Sequence, residues 1–325
     1  MRKAGNWVRI TAQLIDTATG AHIWADRFDG ALDDIFELQD QVASNVAGAI
    51  EPKLVLAETE RAIRKPTESL GAYDLYLRAL AQIHKITQPA RDAAIALLAQ
   101  ALAIDPSYVP AAAAIGWCRL FQAVSGSPVS ASEIAESMRL ATQVVETGKD
   151  QPDALWMAAY TLSMFTGAHA TAAGIIDRAL ALNPNSAYAW SARGFVMAFQ
   201  DQPDLAIEAL QRAMQLSPLD QQCWMFFLGM SAAHLVARRF AEAIDWTDRC
   251  LREQLRLPHV YRIKTVACAH LGRAEEAREC ARRMFELQPT FTISGWKRTY
   301  AASIFSPETM AMYVGGMRKA GLPEE

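Results

Sequence analysis

Histidine, cysteine and paired carboxylates, the side chains that most often carry out chemistry in proteins, are scattered along this chain. The five cysteines never form a C-x-x-C pair, and no group of cysteines and histidines has the spacing of metal ligands. The patterns GxxxxGK(S/T), GxGxxG, HExxH and GxSxG are also missing from the sequence. We therefore predict no catalytic residue, no cofactor and no metal site. We interpret the six histidines as residues of helix surfaces or turns: His22, His84, His169, His234, His259 and His270.

The charged residues do not indicate a catalytic or nucleic-acid-binding site either. Asp33 and Asp34 are a carboxylate pair, but they stand where a helix is expected to begin, and acidic residues there favour the helix dipole. The chain has 32 Lys+Arg against 35 Asp+Glu, which is not the basic excess of a protein that binds nucleic acid by general electrostatics. Its hydrophobic content of 51% excludes intrinsic disorder.

The cysteines and the amino terminus indicate the cellular compartment in which we expect the protein. An odd number of widely spaced cysteines favours reduced thiols over a disulfide framework. No apolar stretch of signal-peptide length follows Met1. Two uncharged stretches, 154–176 and 221–237, suggest membrane spans, but the first has Thr-Gly-Ala-His at its centre and no basic flank. We predict a cytoplasmic protein without a membrane span.

An internal repeat of 34 residues is the strongest signal in the sequence. Trp156, Trp190 and Trp224 recur at this spacing. Three further pairs do the same: Ala172 with Ala206, Ala179 with Ala213, and Pro184 with Pro218. Self-similarity at a fixed period indicates an array of stacked supersecondary units. Stacking also explains the uncharged stretches, because neighbouring units cover each other on both sides.

The clearest unit spans residues 187–218. Its hydrophobic periodicity predicts a helix, a turn and a second helix, at 187–200, 201–204 and 205–216. Ala206 and Ala213 fall on one face of the second helix, where small side chains allow the two helices to approach closely. Pro218 ends the unit, because proline cannot continue a helix.

This unit resembles the tetratricopeptide repeat (TPR) through Trp190, Gly194 in the first helix, the two alanines and the closing Pro218. The resemblance implies an α-solenoid. We predict about six units over 72–289, two close to the pattern and four degenerate. The unit at 107–152 is about a dozen residues too long for this period, and its excess lies at 125–130.

The residues after the repeats predict a cap. Ser306 followed by Pro307 is typical of a helix start, and Gly321 of a helix end. Between them an apolar side is formed by Met310, Tyr313, Val314 and Met317. We expect residues 290–325 to form capping helices that cover the last open face of the solenoid.

The amino-terminal 57 residues differ in kind. Alternating apolar and polar residues at 7–14 and 21–28 predict two strands around a turn at 16–20. Apolar residues from Ile35 to Ile50 then predict a helix of about 20 residues. A hairpin with one helix is too small to be stable alone. The expected fold is thus mainly α: a TPR-type α-solenoid of helix-turn-helix repeats, with a short N-terminal β-hairpin plus helix and a linker at 58–71.

A second resemblance rests on residues 8–16, 20–29 and 34–40, and on 317–324 at the other end. These stretches are similar to the TolB-like domain and the carboxyl end of multidomain bacterial proteins that carry a class III adenylate/guanylate cyclase domain, or a winged-helix DNA-binding domain, before their repeats. The resemblance implies that residues 1–57 are part of a TolB-like segment. It also implies a protein whose catalytic or DNA-binding domain lies upstream, a hypothesis that the upstream coding sequence tests.

Class III cyclase chemistry requires paired metal-binding aspartates on a sheet, and no segment here provides that sheet. We therefore expect recognition rather than nucleotide turnover. In the repeat register, the concave wall of the solenoid is formed by first helices and includes Met157, Thr161, Tyr188, Ser191, Phe195, Met225 and Leu228. The best-known peptide clamp of the TPR family uses Lys, Arg and Asn at such positions, and here they are absent. An apolar groove for a helix or an extended peptide is the consistent interpretation; the alternative is that these side chains pack between units.

Two classes of function remain open. The first is a non-catalytic scaffold with a protein or peptide partner, without nucleic-acid binding. The second is the regulatory part of a cyclase-type signalling enzyme, or of a winged-helix transcriptional regulator, whose other domain is missing from this chain. The second class also allows a membrane tether in a missing upstream segment.

Overall fold

The computed structural model describes residues 2–4, 7–15, 20, 22–31, 55, 58–63, 70–218, 220, 222–253, 257–298 and 304–325. Within these ranges, twelve helices form six consecutive hairpins: α1 (Ala72–Ile83) with α2 (Gln88–Ile104), α3 (Val109–Val124) with α4 (Ala131–Thr147), α5 (Pro152–Thr166) with α6 (His169–Leu182), α7 (Ala187–Phe199) with α8 (Pro203–Leu216), α9 (Trp224–Val236) with α10 (Phe240–Glu253), and α11 (Pro258–His270) with α12 (Ala274–Leu287). The predicted α-solenoid of helix-turn-helix repeats is confirmed.

The amino-terminal sheet contains the predicted hairpin and one more strand. Strands β1 (Arg2–Ala4), β2 (Trp7–Ile15) and β3 (His22–Ala31) pair antiparallel in the order β1-β2-β3. Arg9 and Asp29 face each other across β2 and β3, with Nε 2.7 Å from Oδ1. The three-residue β1 was not predicted, because it is too short to show alternation. The turn at 16–19 and the helix predicted from Ile35 to Ile50 lie outside the described residues.

The stretch expected to be a linker includes a helical part at residues 58–63. Ala62 in this part is 1% exposed. The guanidinium of Arg78 on α1 donates from Nε to the Ala62 carbonyl oxygen at 3.1 Å. Residues 58–63 are therefore packed against the first hairpin.

Close helix packing inside the hairpins explains the repeated small residues. Ala172, Ala179, Ala206 and Ala213 are all at most 1% exposed. At Gly194, on α7, a Cβ atom would lie 2.5 Å from Leu210 Cγ and 3.0 Å from the Ala206 carbonyl oxygen. Glycine at this position lets the backbones of α7 and α8 come together.

The solenoid curls tightly enough for distant hairpins to touch. Ring centroids of Phe121 on α3 and Trp224 on α9 are 5.7 Å apart. The insertion at 125–130 forms the connection between α3 and α4, and a Cβ at its Gly126 would lie 2.6 Å from Cδ of Gln288, just after α12. The second hairpin therefore contacts the fifth hairpin and the end of the sixth.

The carboxyl end forms a short helix, α13 (Ile293–Trp296), and a longer one, α14 (Pro307–Lys319). Ser306 caps α14 as predicted, because its Oγ accepts from the Thr309 N–H at 3.1 Å. The helix terminates at Gly321, whose φ is +81°. No helix of the described residues has both the length and the hydropathy needed to cross a bilayer.

The expectation that residues 290–325 cap the last open face of the solenoid stays a prediction; the structure shows which helix α14 contacts. It lies on α11, the first helix of the last hairpin, where a Cβ at Gly316 would be 3.0 Å from Val266 Cα. We call residues 304–322 the C-terminal segment. A row of polar contacts with the third to sixth hairpins holds this segment in place.

Four side chains make those contacts. His169 Nε2 donates to the Ile304 carbonyl at 2.9 Å, and His270 Nε2 donates to that of Met312 at 2.9 Å. Asp201 accepts from Thr309 Oγ1 at 2.6 Å, and Arg238 donates to Glu308 at 2.7 Å. Asp201 and Arg238 follow the first helices of their hairpins, so the C-terminal segment crosses successive turns.

Candidate binding cavity

The inner faces of the first helices and the C-terminal segment enclose an apolar cavity with a volume of about 110 Å³. It is bounded by α3, α5, α7, α9 and α11. Five of the seven sequence-predicted groove residues line it: Tyr188, Ser191, Phe195, Met225 and Leu228. Helical periodicity had placed these five on one wall, and the structure brings them together.

Met157 and Thr161 do not line the cavity. Thr161 is fully buried, and its hydroxyl donates to the Met157 carbonyl oxygen at 2.8 Å. Its Cγ2 would lie 3.2 Å from a Cβ at Gly116 on α3. Thr161 therefore packs between α5 and α3, in line with the alternative that inner side chains fill the space between units.

Aromatic rings form a continuous wall of the cavity. Trp156 is 5.3 Å from Trp117 edge to face, and it stacks on Tyr188 at 6.0 Å, both between ring centroids. Tyr160 stacks on Phe199 at 6.3 Å. Sequence reasoning missed Trp117, Tyr160 and Phe199 as site residues, although each is on the inner face of a first helix. The register would have found Trp117 if extended to α3, and Phe199 if continued one turn beyond Phe195 on α7. Tyr160 lies one residue before Thr161, which the register selected instead.

The cavity is closed by the carboxyl end of the same chain. Phe305 lies 5.9 Å from Phe199 and 4.8 Å from Tyr313 between ring centroids. Ile304, Trp296 and Tyr313 complete this side of the lining. No repeat signal marks these residues, which were expected to form a cap, and a helical pattern does not show that their aromatic side chains line a cavity.

Three polar side chains interrupt the apolar lining: Ser191, His259 and Arg262. Each contains a buried atom without a hydrogen-bond partner among the described residues, namely Ser191 Oγ, His259 Nδ1 and Arg262 Nε. His259 was predicted on a helix surface or in a turn; it is only 8% exposed, because its side of α11 faces inward. Burial lowers the pKa of His259 to about 3, so its imidazole is neutral near pH 7.

Tyr188 is held in place at the edge of the cavity, where it is half-buried. Its hydroxyl donates to Asp220 Oδ1 at 3.0 Å, and the same carboxylate accepts from Ser217 Oγ at 3.0 Å. Burial raises the pKa of Tyr188 well above its usual value, and the nearby Asp220 adds to the effect. Tyr188 therefore remains protonated and links α7 to the connection between α8 and α9.

The arrangement is suited to binding. Burial raises the pKa of the Cys118 and Cys250 thiols to about 12, so neither is a thiolate nucleophile near neutral pH. Within the part of the chain that the structure describes, no three His, Cys, Asp or Glu side chains are grouped to hold a metal ion. What the cavity offers is apolar contact area with a few polar groups, which is the usual composition of a ligand site.

Comparison with known proteins places the fold. No protein-family model matches the chain. Half of the chain is 31% identical, over 164 residues, to a Rhizobium meliloti (strain 1021) protein named "Putative adenylate cyclase 3", and the match spans 28% of that protein. The crystal structure of the APC/C hetero-tetramer Cut9-Hcn1 is similar over 82% of this chain and 49% of that one, at 14% identity and a TM-score of 0.54.

A second solved structure, of the type IV pilus biogenesis factor PilW, is similar over 68% of this chain and 94% of its own, at 17% identity and a TM-score of 0.48. Both neighbours are TPR-containing proteins. At these identities the likeness to Cut9-Hcn1 shows the TPR-type fold alone.

Proposed function

We propose that this chain is a non-catalytic interaction scaffold, which binds a partner helix or peptide on the inner surface of its first helices. The observation that carries this proposal is the position of the C-terminal segment. The inner surface already accommodates a helix, α14, whose side chains Tyr313 and Met317 are at most 3% exposed. A surface that binds one amphipathic helix of this kind has the shape and the apolar character to bind another.

The part of the inner surface that remains accessible is aromatic and apolar. Trp117, Phe121, Tyr188 and Met225 line the cavity and are each half-buried rather than buried. Side chains of this type dominate the binding energy of protein interfaces. The favoured partner is thus a helix or peptide with large apolar side chains, and it competes with the C-terminal segment.

The proposal predicts that Gly316→Val opens the inner surface. A Cβ at Gly316 would meet Val266 Cα at 3.0 Å, so the larger side chain forces α14 away from α11. A labelled peptide of residues 304–322 is the probe, and fluorescence anisotropy measures its affinity for the full chain. We expect Gly316→Val to bind it about tenfold more tightly than the original chain, because the tethered segment no longer competes.

Gly315→Val is the matched control, since nothing lies within 4 Å of a Cβ at Gly315. It makes the same change one residue earlier and should leave the peptide affinity as it was. Adding Met225→Glu to Gly316→Val should abolish the gain, because it places a charge on the apolar surface. Release of α14, detected by hydrogen exchange, without any gain in peptide affinity would contradict the proposal.

A second candidate function is the regulatory part of a larger signalling enzyme. The identity of 31% to the Rhizobium meliloti protein over half of the chain favours it. In that case the chain carries recognition while another domain carries the chemistry. We expect no cyclic nucleotide when the chain is incubated with ATP or GTP and Mg²⁺ or Mn²⁺; cyclic AMP or GMP above that of a heat-treated sample would contradict both candidates.

A further inference from the structure

The cavity contains a buried cation. Arg262, on α11, is 7% exposed and lines the cavity. Its guanidinium carbon lies 5.2 Å from the ring centroid of Trp296 and 5.8 Å from that of Phe291. No carboxylate of the described residues forms an ion pair with it.

An unpaired buried cation is unfavourable, because its lost hydration is repaid only by a close counter-charge. The contacts with the two rings offset part of this cost. Lys264, two residues further along α11, shows the ordinary solution: its Nζ is 2.6 Å from Asp248 and 3.1 Å from Glu276. Arg262 instead has aromatic neighbours and an empty apolar volume beside it.

Two further polar groups line the same volume. Ser191 Oγ and His259 Nδ1 are buried without a partner among the described residues. A hydroxyl can donate to an anion, and an arginine can donate two parallel hydrogen bonds to a carboxylate. The neutral imidazole of His259 adds hydrogen-bonding capacity without adding charge.

We propose that the cavity binds a small apolar monocarboxylate with a short branched chain. Its carboxylate pairs with Arg262, and its hydrocarbon part contacts the aromatic wall. The volume of about 110 Å³ sets the size: an apolar cavity of about 150 Å³ holds one benzene molecule, so this smaller volume favours a short branched chain over an aromatic ring. The apolar lining favours one negative charge over a phosphate dianion, whose dehydration costs more.

This inference does not depend on the proposed partner. The partner surface is the accessible aromatic edge, whereas the carboxylate site is centred on a side chain that is 7% exposed. A chain that binds no peptide can therefore still bind the carboxylate, and each proposal fails separately.

The test measures binding of 3-methylbutanoate to the full chain by isothermal titration calorimetry, with 3-methylbutanamide as the neutral analogue. We expect the carboxylate to bind and the amide to bind at least tenfold more weakly. In Arg262→Met the dissociation constant should rise about 30-fold, as for the loss of a charge-assisted pair. Ser191→Ala should cause a smaller rise, of a fewfold.

Arg91→Met is the matched control, because Arg91 is 5% exposed and has an unpartnered Nε but does not line the cavity. It should leave carboxylate affinity unchanged. Arg262→Lys keeps the positive charge but cannot form the bidentate hydrogen bonds of arginine. It should bind the carboxylate with intermediate affinity, and it keeps the test decisive if Arg262→Met does not fold. The proposal is overturned if 3-methylbutanoate does not bind the original chain, if 3-methylbutanamide binds equally well, or if Arg262→Lys leaves the affinity unchanged.

Discussion

Replacing Gly194 by valine is expected to lower the free energy of unfolding by about 3 kcal/mol, at the upper end of what overpacking a core costs. A Cβ at this position would lie 2.5 Å from Leu210 Cγ and 3.0 Å from the Ala206 carbonyl oxygen. Leu210 cannot move aside freely, because its Cδ2 would be 2.5 Å from a Cβ at Gly229 on the other side. The new side chain must therefore separate α7 from α8.

Urea unfolding followed by circular dichroism measures this loss. Gly174→Ala is the control: Gly174 is exposed within α6, and nothing lies within 4 Å of its added Cβ. There the substitution should stabilise the chain by up to about 1 kcal/mol, because alanine is the better helix former. If Gly194→Val unfolds at the same urea concentration as the original chain, the close approach of α7 and α8 is wrong.

Acid is expected to destabilise the fold through His259. Burial lowers its pKa from 6.5 to about 3 in the folded chain. Because the unfolded chain then binds the proton more readily, the contribution of His259 to stability is full above pH 6.5 and is lost as the pH falls towards 3. Between pH 7 and pH 4 the loss amounts to about 3 kcal/mol for this one residue.

His259→Gln removes the titrating group while keeping a neutral polar side chain. Unfolding free energies of both proteins at pH 7, 6, 5 and 4 should show the variant losing about 3 kcal/mol less than the original chain. Burial also lowers the pKa of His84 and His234, so both proteins are expected to weaken in acid, and the difference between them isolates His259. Parallel pH curves would show that His259 is protonated without unfolding, and hence that it is not buried.

The repeat could be predicted because its signals are local. Ala206 and Ala213 share a helix face whatever surrounds them, and Gly194 lies 12 residues before Ala206 in the same hairpin. The turns show the limit of such signals. The φ angle is positive at Gly167 and Gly272, as turn glycines suggest, but also at Arg238, a residue type that gives no such indication.

The candidate site could be predicted only in part. Five of its residues follow from the repeat register, because one face of each first helix points inward. Met157 and Thr161 share that register, yet Thr161 packs against Gly116. Tyr160 lines the cavity and its neighbour Thr161 does not. A shift of one residue, about 100° around the helix axis, thus decides between the cavity and an inter-helix contact, and the sequence pattern does not resolve it.

The sequence by itself determined the repeat unit: its period, its two-helix hairpin and the small residues at which the two helices approach closely. Only the tertiary structure decided which distant hairpins touch and which residues line the inner surface. The reason is that curvature sums small rotations over many hairpins, while His169 meets Ile304 across 135 residues of chain. The pattern of an amphipathic helix such as α14 does not show which surface of the solenoid it contacts. Arginine is usually an exposed residue, so the sequence did not indicate that Arg262 is buried.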